Sequence, residues 1–215
     1  MQPPTAAVRQ DLGEATDTGC AHCRDRSLPW NCVHRLAAYQ HPLRDWIVAM
    51  KFGHAWAWAP WFGKAMAGII NDTTFPTDSP AEASPDAPAS PHVVIPVPLH
   101  WRRRVTRGFD QSFLIADALA AQHHWPLLRA IKRIRHTHQQ SQLPRSKRID
   151  NVRRAFALRR HLRHHADRPL AGQTVYLIDD VLTTGATAAQ CARLLRSAGA
   201  IQIHLVVAAV TDPHD

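Results

Sequence analysis

Apolar positions fall along this chain in two rhythms. Residues 92–97 (H-V-V-I-P-V), 174–179 (T-V-Y-L-I-D) and 201–210 (I-Q-I-H-L-V-V-A-A-V) are short, nearly continuous aliphatic runs, the pattern of strands covered on both faces in a parallel sheet. Residues 108–121 instead place Phe113, Leu114, Ala116, Ala118 and Leu119 at mixed three- and four-residue steps, which predicts an amphipathic helix. Residues 187–197 predict another helix, ending before Gly199. The tryptophan-rich stretch from Pro42 to Ile70 predicts one or two helices broken near Pro60, because proline removes a helical hydrogen bond. Residues 127–134 fit a strand or a short helix, and periodicity does not separate the two. Strand, helix, strand in this order implies right-handed crossovers and a mainly parallel sheet, hence an α/β fold.

Two polar stretches interrupt the pattern. Residues 71–91 are rich in Pro, Ser, Ala and Asp with almost no large apolar side chain, which predicts a flexible loop or linker. Residues 135–151 read as a long loop. With 215 residues the chain fits one domain plus an appendage, and the division expected is an N-terminal segment over 1–41 and a single domain over 42–215.

Composition narrows the setting. Hydrophobic residues at 45% and charged residues at 20% are ordinary for a globular protein. The apolar stretch 43–70 is interrupted by Arg44, Asp45, Lys51, Pro60 and Lys64, so no conventional membrane span is expected there. The first residues lack the basic start and apolar core of a signal peptide, and a cytoplasmic location is expected. Four cysteines in such a setting are thiols or metal ligands rather than a disulfide framework.

Charge points to an anionic ligand. The formal net charge is +9, which favours phosphates, nucleic acid or acidic surfaces. It is unevenly spread: from Arg129 to His165 the only acid is Asp150, amid Lys132, Arg133, Arg135, Arg145, Lys147, Arg148, Arg153, Arg154, Arg159, Arg160 and Arg163.

The candidate chemistry lies at the end of the second apolar run. Asp179 and Asp180 stand where a parallel strand leaves the sheet, the edge at which open α/β sheets hold ligands. Thr183-Thr184-Gly185-Ala186-Thr187 then leads into a helix. Small residues let backbone N–H groups converge on an anion, hydroxyls add donors, and a helix N-terminus adds a favourable dipole. Two carboxylates would repel a bare phosphate, so the ligand must also offer hydroxyls or a metal, and a ribose phosphate offers both. The same residues could simply end a strand and cap a helix, but the whole run meets many constraints at once. A Walker-type alternative at Gly63-Lys64 fails, because Ala65 stands where Ser or Thr is needed.

Residues 175–187, V-Y-L-I-D-D-V-L-T-T-G-A-T, resemble at all thirteen positions the binding motif for 5-phosphoribosyl-1-pyrophosphate (PRPP) of type I phosphoribosyltransferases. The resemblance implies that fold, a Rossmann-like, mainly parallel sheet flanked by helices. It also implies that Asp179 and Asp180 hold the ribose hydroxyls, directly or through Mg²⁺, as the catalytic acids. Val181, Leu182, Thr183, Thr184, Gly185, Ala186 and Thr187 would form the phosphate loop.

Two further segments narrow the family. Val94-Ile95-Pro96-Val97-Pro98-Leu99, followed by Arg102-Arg103-Arg104 and by Arg107-Gly108-Phe109-Asp110-Gln111, resembles the I-P-V-P-L … R-G-F-[DN]-Q segment of the competence protein F (ComF) family. Arg135, Gln140, Leu143, Arg148, Asn151-Val152 and Ala155-Phe156 resemble that family's R…Q-x-x-L…R-x-x-N-V-x-x-A-F pattern, and Leu43-Arg44-Asp45 … Met50-Lys51-Phe52 its helical lead-in. The resemblance covers about 42–210. It implies that Arg102, Arg103 and Arg107 meet the pyrophosphate and that Gln140, Lys147 and Arg148 belong to a lid that excludes water.

Many ComF-like proteins begin with paired C-x-x-C motifs resembling a zinc ribbon. Here only Cys20 and Cys23 form such a pair. Cys32 and His34 could complete a Zn²⁺ set, although C-x-H spacing is unusual for structural zinc, and loose thiols are the other reading. Cys191 reads as a small buried apolar residue. Of the fifteen histidines, His123 and His124 sit in a helix-end context that reads as a solvated face, and the concentration of Trp46, Trp56, Trp58 and Trp61 in an apolar stretch reads as packing.

The activity implied is Mg²⁺–PRPP binding with transfer of the phosphoribosyl group to an unknown nitrogenous acceptor and release of pyrophosphate. The alternative is a non-catalytic, nucleic-acid-associated factor acting with competence machinery on single-stranded DNA during natural transformation, as the family name implies.

Overall fold

A computed structural model of the chain describes residues 28–53, 55–71, 91–99, 108–134, 155–160 and 169–211. A four-stranded parallel sheet forms its centre. Strands β1 (Cys32–Ala38), β2 (His92–Pro96), β5 (Thr174–Leu182) and β6 (Gln202–Val210) lie in the order β1-β6-β5-β2. Two short strands, β3 (Ile131–Arg133) and β4 (Phe156–Leu158), pair antiparallel beside it. The helices are α1 (Leu43–Phe52), α2 (Ala59–Asn71), α3 (Gln111–His123) and α4 (Ala186–Ser197), with a single 3₁₀ turn over Trp56–Trp58.

The continuous apolar runs are explained by helices or strands on both faces. Side chains alternate across a strand, so Val175 and Leu177 of β5 join Ile203 and Leu205 of β6 in one core with Cys191 and Leu195 of α4 and with Ile131 and Phe156. Tyr176 and Ile178 point the other way, into a second core with Ile47 and Met50 of α1, Phe62 and Met66 of α2, and Ile115 and Leu119 of α3. Cys191 is fully buried in the first core, as its small apolar character predicts.

Four details depart from the pattern reading or complete it. β5 runs on to Leu182 because Val181 and Leu182 still pair with Ala209 and Val210. Within 127–134 the outcome is a strand, made possible by pairing with β4, a partner that local periodicity cannot show. The interruption between α1 and α2 falls at residues 53–58. Pro60 lies instead in the first turn of α2, where its missing N–H costs nothing. The sheet also takes in β1, which pairs with β6 from Cys32↔His204 to Ala38↔Val210 and was not visible as a strand in the sequence. Residues 72–90 and 135–151, expected as loops, lie outside the described residues. Among the described residues no helix is long and apolar enough to cross a membrane.

Of the tryptophans, Trp46, Trp58 and Trp61 pack against the second core, and Trp56 is exposed. His123 departs from its solvated reading: its ring stacks on Trp125 at 4.2 Å and Nε2 lies 3.3 Å from the Ala67 carbonyl oxygen.

Gly63 serves helix packing. A Cβ there would clash with the Ile115 carbonyl oxygen and stand 2.6 Å from Ala118 Cβ, so α2 and α3 touch through the missing side chain. Gly63→Ala is therefore expected to lower stability by about 1–3 kcal/mol through overpacking, more than the roughly 1 kcal/mol that alanine gains in helix propensity. Thermal unfolding checks this, and an unchanged or raised midpoint would contradict the close approach.

Candidate functional site

Four chain segments converge at the C-terminal edge of the sheet. β5 brings Asp179 and Asp180, α1 brings Lys51 from its last turn, α3 brings Gln111 and Ser112 from its first, and α4 opens just beyond the loop 183–185. They line a cleft of about 470 Å³ together with Val181, Leu182, Thr183, Thr184, Gly185, Ala186, Thr187 and Arg133.

The two acids have different surroundings. Asp180 is buried, and both of its carboxylate oxygens are engaged. Lys51 Nζ lies 3.0 Å from Oδ1, and Gln111 Nε2 donates to Oδ2 at 3.0 Å. Asp179 uses one oxygen: Oδ1 accepts from Ser112 Oγ at 3.1 Å and from the Asp180 backbone N–H at 2.9 Å. Its Oδ2 accepts no hydrogen bond among the described residues. Burial and then the neighbouring Asp180 carboxylate push the Asp179 pKa up from the usual carboxylate range toward neutrality, against the smaller opposing effects of the Asp180 N–H, Lys51 and Ser112.

The loop is shaped for a ligand on its backbone. Gly185 has φ of 72°, the left-handed region, and a Cβ there would come within 3.2 Å of the Trp30 ring, so glycine is needed for conformation and for space. Thr184 Oγ1 accepts from the Ala186 N–H at 3.4 Å, which holds the turn closed at the start of α4. The first N–H groups of that helix have no intrahelical partner and face the cleft end of the sheet, where the helix dipole favours an anion.

Asp179, Asp180 and residues 181–187 all line this cleft. Arg102, Arg103, Arg107, Gln140, Lys147, Arg148, Cys20 and Cys23 lie outside the described residues. Cys32 and His34 sit on β1, where Cys32 faces His204, three residues back along β6 from the partner of Asp179. That is about 10 Å from the cleft edge along the strands.

Lys51, Gln111, Ser112 and Arg133 were not foreseen as site residues. Lys51 and Gln111 stood inside the quoted family segments, and Arg133 inside the basic run, so the signal was present without a role attached. Among the described residues Gln111 Oε1 is buried without a hydrogen-bond partner. A second, smaller cavity of about 160 Å³ adjoins Pro98, Leu99 and Arg133 and is lined by Asp110, Arg129, Lys132 and Arg159.

A domain family and several known proteins resemble this chain. The phosphoribosyl transferase domain family matches residues 110–215. The chain is similar to DNA utilization protein YhgH of Escherichia coli O157:H7, 30% identical over 188 residues that cover 86% of this chain and 75% of that protein. It is similar to competence protein F of Haemophilus influenzae, 28% identical over 187 residues, 86% of this chain and 76% of the relative. Competence protein ComFC of Bacillus subtilis is 32% identical over 133 residues, 62% of this chain and 49% of the relative.

Proposed function

The chain belongs to the competence protein F family and carries a phosphoribosyltransferase domain, and on that premise we propose that it binds Mg²⁺–PRPP in the cleft and transfers the phosphoribosyl group to a nitrogenous acceptor, releasing pyrophosphate. The observation that carries this reading is the asymmetry of the two acids beside the 183–187 loop. Asp180 is fully engaged and positions the strand end, whereas Asp179 lines the cleft and its Oδ2 accepts no hydrogen bond among the described residues. An open carboxylate oxygen, a glycine-shaped loop and a helix N-terminus supply acceptors for ribose hydroxyls and donors for a 5-phosphate in one cleft.

The residues also suit Mg²⁺, a hard cation that takes oxygen ligands and keeps several waters. Asp179 Oδ2 would hold it or one of its waters, and the ion would supply positive charge to the phosphates. The protein's own part is to bind and orient the sugar, to hold the 5-phosphate on the loop, and to place Lys51 and Arg133 as positive charge around the cleft. Arg102, Arg103 and Arg107 are proposed for the pyrophosphate, and Gln140, Lys147 and Arg148 for a lid. The site of action proposed is the cytoplasm.

A second reading draws on the relatives' names, which refer to competence and DNA utilization. Arg129, Lys132, Arg133 and Arg159 around the smaller cavity form a basic surface beside the cleft, suited to a nucleic-acid backbone in a competence role. A screen of candidate acceptors for pyrophosphate release, run beside single-stranded DNA titrations over a salt series, separates the readings. Release with at least one acceptor is expected. No release with any acceptor, together with DNA affinity that falls steeply with salt, would favour the binding role.

A further inference from the structure

On β1 and its neighbour β6, one to three residues back in register from Asp179, three side chains converge that the phosphoribosyl site does not use. Cys32 and His34 project from one face of β1, and His204 from the adjoining position of β6. Cys32 Sγ lies 3.2 Å from His34 Nε2 and 3.0 Å from His204 Nδ1, and the two ring nitrogens are 3.2 Å apart. Both histidines are buried, and their rings stack at 5.4 Å with an interplanar angle of 8°.

A triangle of mutually close donor atoms is poorly explained by hydrogen bonds alone. His204 Nε2 lies 3.1 Å from Gln202 Oε1. That amide oxygen can only accept, so the ring proton belongs on Nε2 and the Nδ1 lone pair faces the cluster. Two protons at most, one on the thiol and one on His34 Nε2, then remain for three short edges, so one edge has no hydrogen between its atoms. A cation at the centre removes that conflict.

We propose that Cys32 Sγ, His34 Nε2 and His204 Nδ1 form a Zn²⁺ site that ties edge strand β1 to β6 and leaves a fourth coordination position for water. Three protein ligands of Cys and His with an open position are an established zinc geometry. At zinc–ligand distances of about 2.0–2.3 Å, tetrahedral donors stand roughly 3.3–3.6 Å apart. The triangle therefore needs to open by only a few tenths of an ångström. Gln202 is the outer partner that orients a ligating imidazole. A separate observation is compatible with a water at the fourth position. Tyr176, fully buried, has its ring 5.1 Å from that of His204, and its hydroxyl has no hydrogen-bond partner among the described residues. A zinc-bound water supplies the partner it lacks.

The set differs from the expected ribbon of Cys20, Cys23, Cys32 and His34, because His204 comes from the far end of the chain. The test uses the full-length protein, stripped with a chelator and titrated with Co²⁺ as a spectroscopic stand-in for Zn²⁺. One equivalent per chain is expected, with a thiolate-to-metal charge-transfer band. Cys32→Ser should abolish that band, His204→Gln should weaken binding at least about 100-fold, and Gln202→Ala about 10-fold with the band retained. The Cys20→Ser/Cys23→Ser chain should behave as the parent, which keeps the proposal decidable even if a β-strand variant fails to fold. Absence of the band in the parent, its survival in Cys32→Ser, unchanged affinity in His204→Gln, or its loss in the Cys20→Ser/Cys23→Ser chain would each overturn the assignment.

Discussion

Asp179→Asn is expected to weaken Mg²⁺–PRPP binding about 100-fold while making the ligand-free protein more stable at neutral pH. The loss follows from removing the open charged acceptor, since hydrogen bonds to a charged group contribute about 1.5–3 kcal/mol each. The gain follows from linkage. Burial and Asp180 raise the folded pKa of Asp179 above its unfolded value. A carboxyl raised in this way favours the fold at pH values below the ordinary carboxylate pKa of about 4. That advantage is lost as pH rises through the raised folded value toward neutrality, because ionising Asp179 beside Asp180 then opposes folding. Asparagine cannot ionise, and its amide oxygen can still accept from Ser112 Oγ and from the Asp180 N–H. Thermal midpoints measured from pH 4 to pH 8 should therefore fall more in the parent than in the variant. A variant less stable than the parent at pH 8 would contradict the strained-acid description.

Lys51→Met is expected to destabilise the protein by about 3 kcal/mol, near the lower end of the range for breaking one side of a buried pair. The lower end applies because the Lys51 side chain retains 17% exposure, against 7% for Asp180. For a chain of this size the midpoint should drop by roughly 6–12 °C. Among the described residues, removing the lysine leaves the Asp180 carboxylate buried with only the Gln111 amide as a side-chain donor. The double change Lys51→Met/Asp180→Asn takes away the stranded charge and should be more stable than Lys51→Met alone. Equal or additive losses in a double-mutant cycle would show that the 3.0 Å contact carries little coupling.

What could be read from the sequence depended on whether the physical cause was local. β2, β5 and β6 were legible because both faces are covered, leaving apolar residues at nearly every position. β1 was not, since its Cys32, His34 and Arg35 break the apolar run, and it gains its place by pairing with β6 from the other end of the chain. β3 and β4 are three residues each, too short to show a period. The phosphate loop was legible for the opposite reason, as 175–187 is contiguous and its loop needs small residues, a left-handed glycine and a helix start in that order. The roles of Lys51, Gln111 and Ser112 arise only when α1 and α3 meet the end of β5, and no spacing in the sequence encodes that meeting. Likewise His204 looked like one more residue of an apolar strand until the register set it opposite Cys32.

The central claim is that the end of β5 and the loop after it form a PRPP site built on its two acids. Isothermal titration of PRPP with and without Mg²⁺, into the parent chain and into the Asp179→Asn/Asp180→Asn chain, tests it most directly. The account predicts saturable binding at one site per chain in the parent, dependent on Mg²⁺ and lost in the double variant while the fold is retained. Equal affinity in parent and double variant would contradict it.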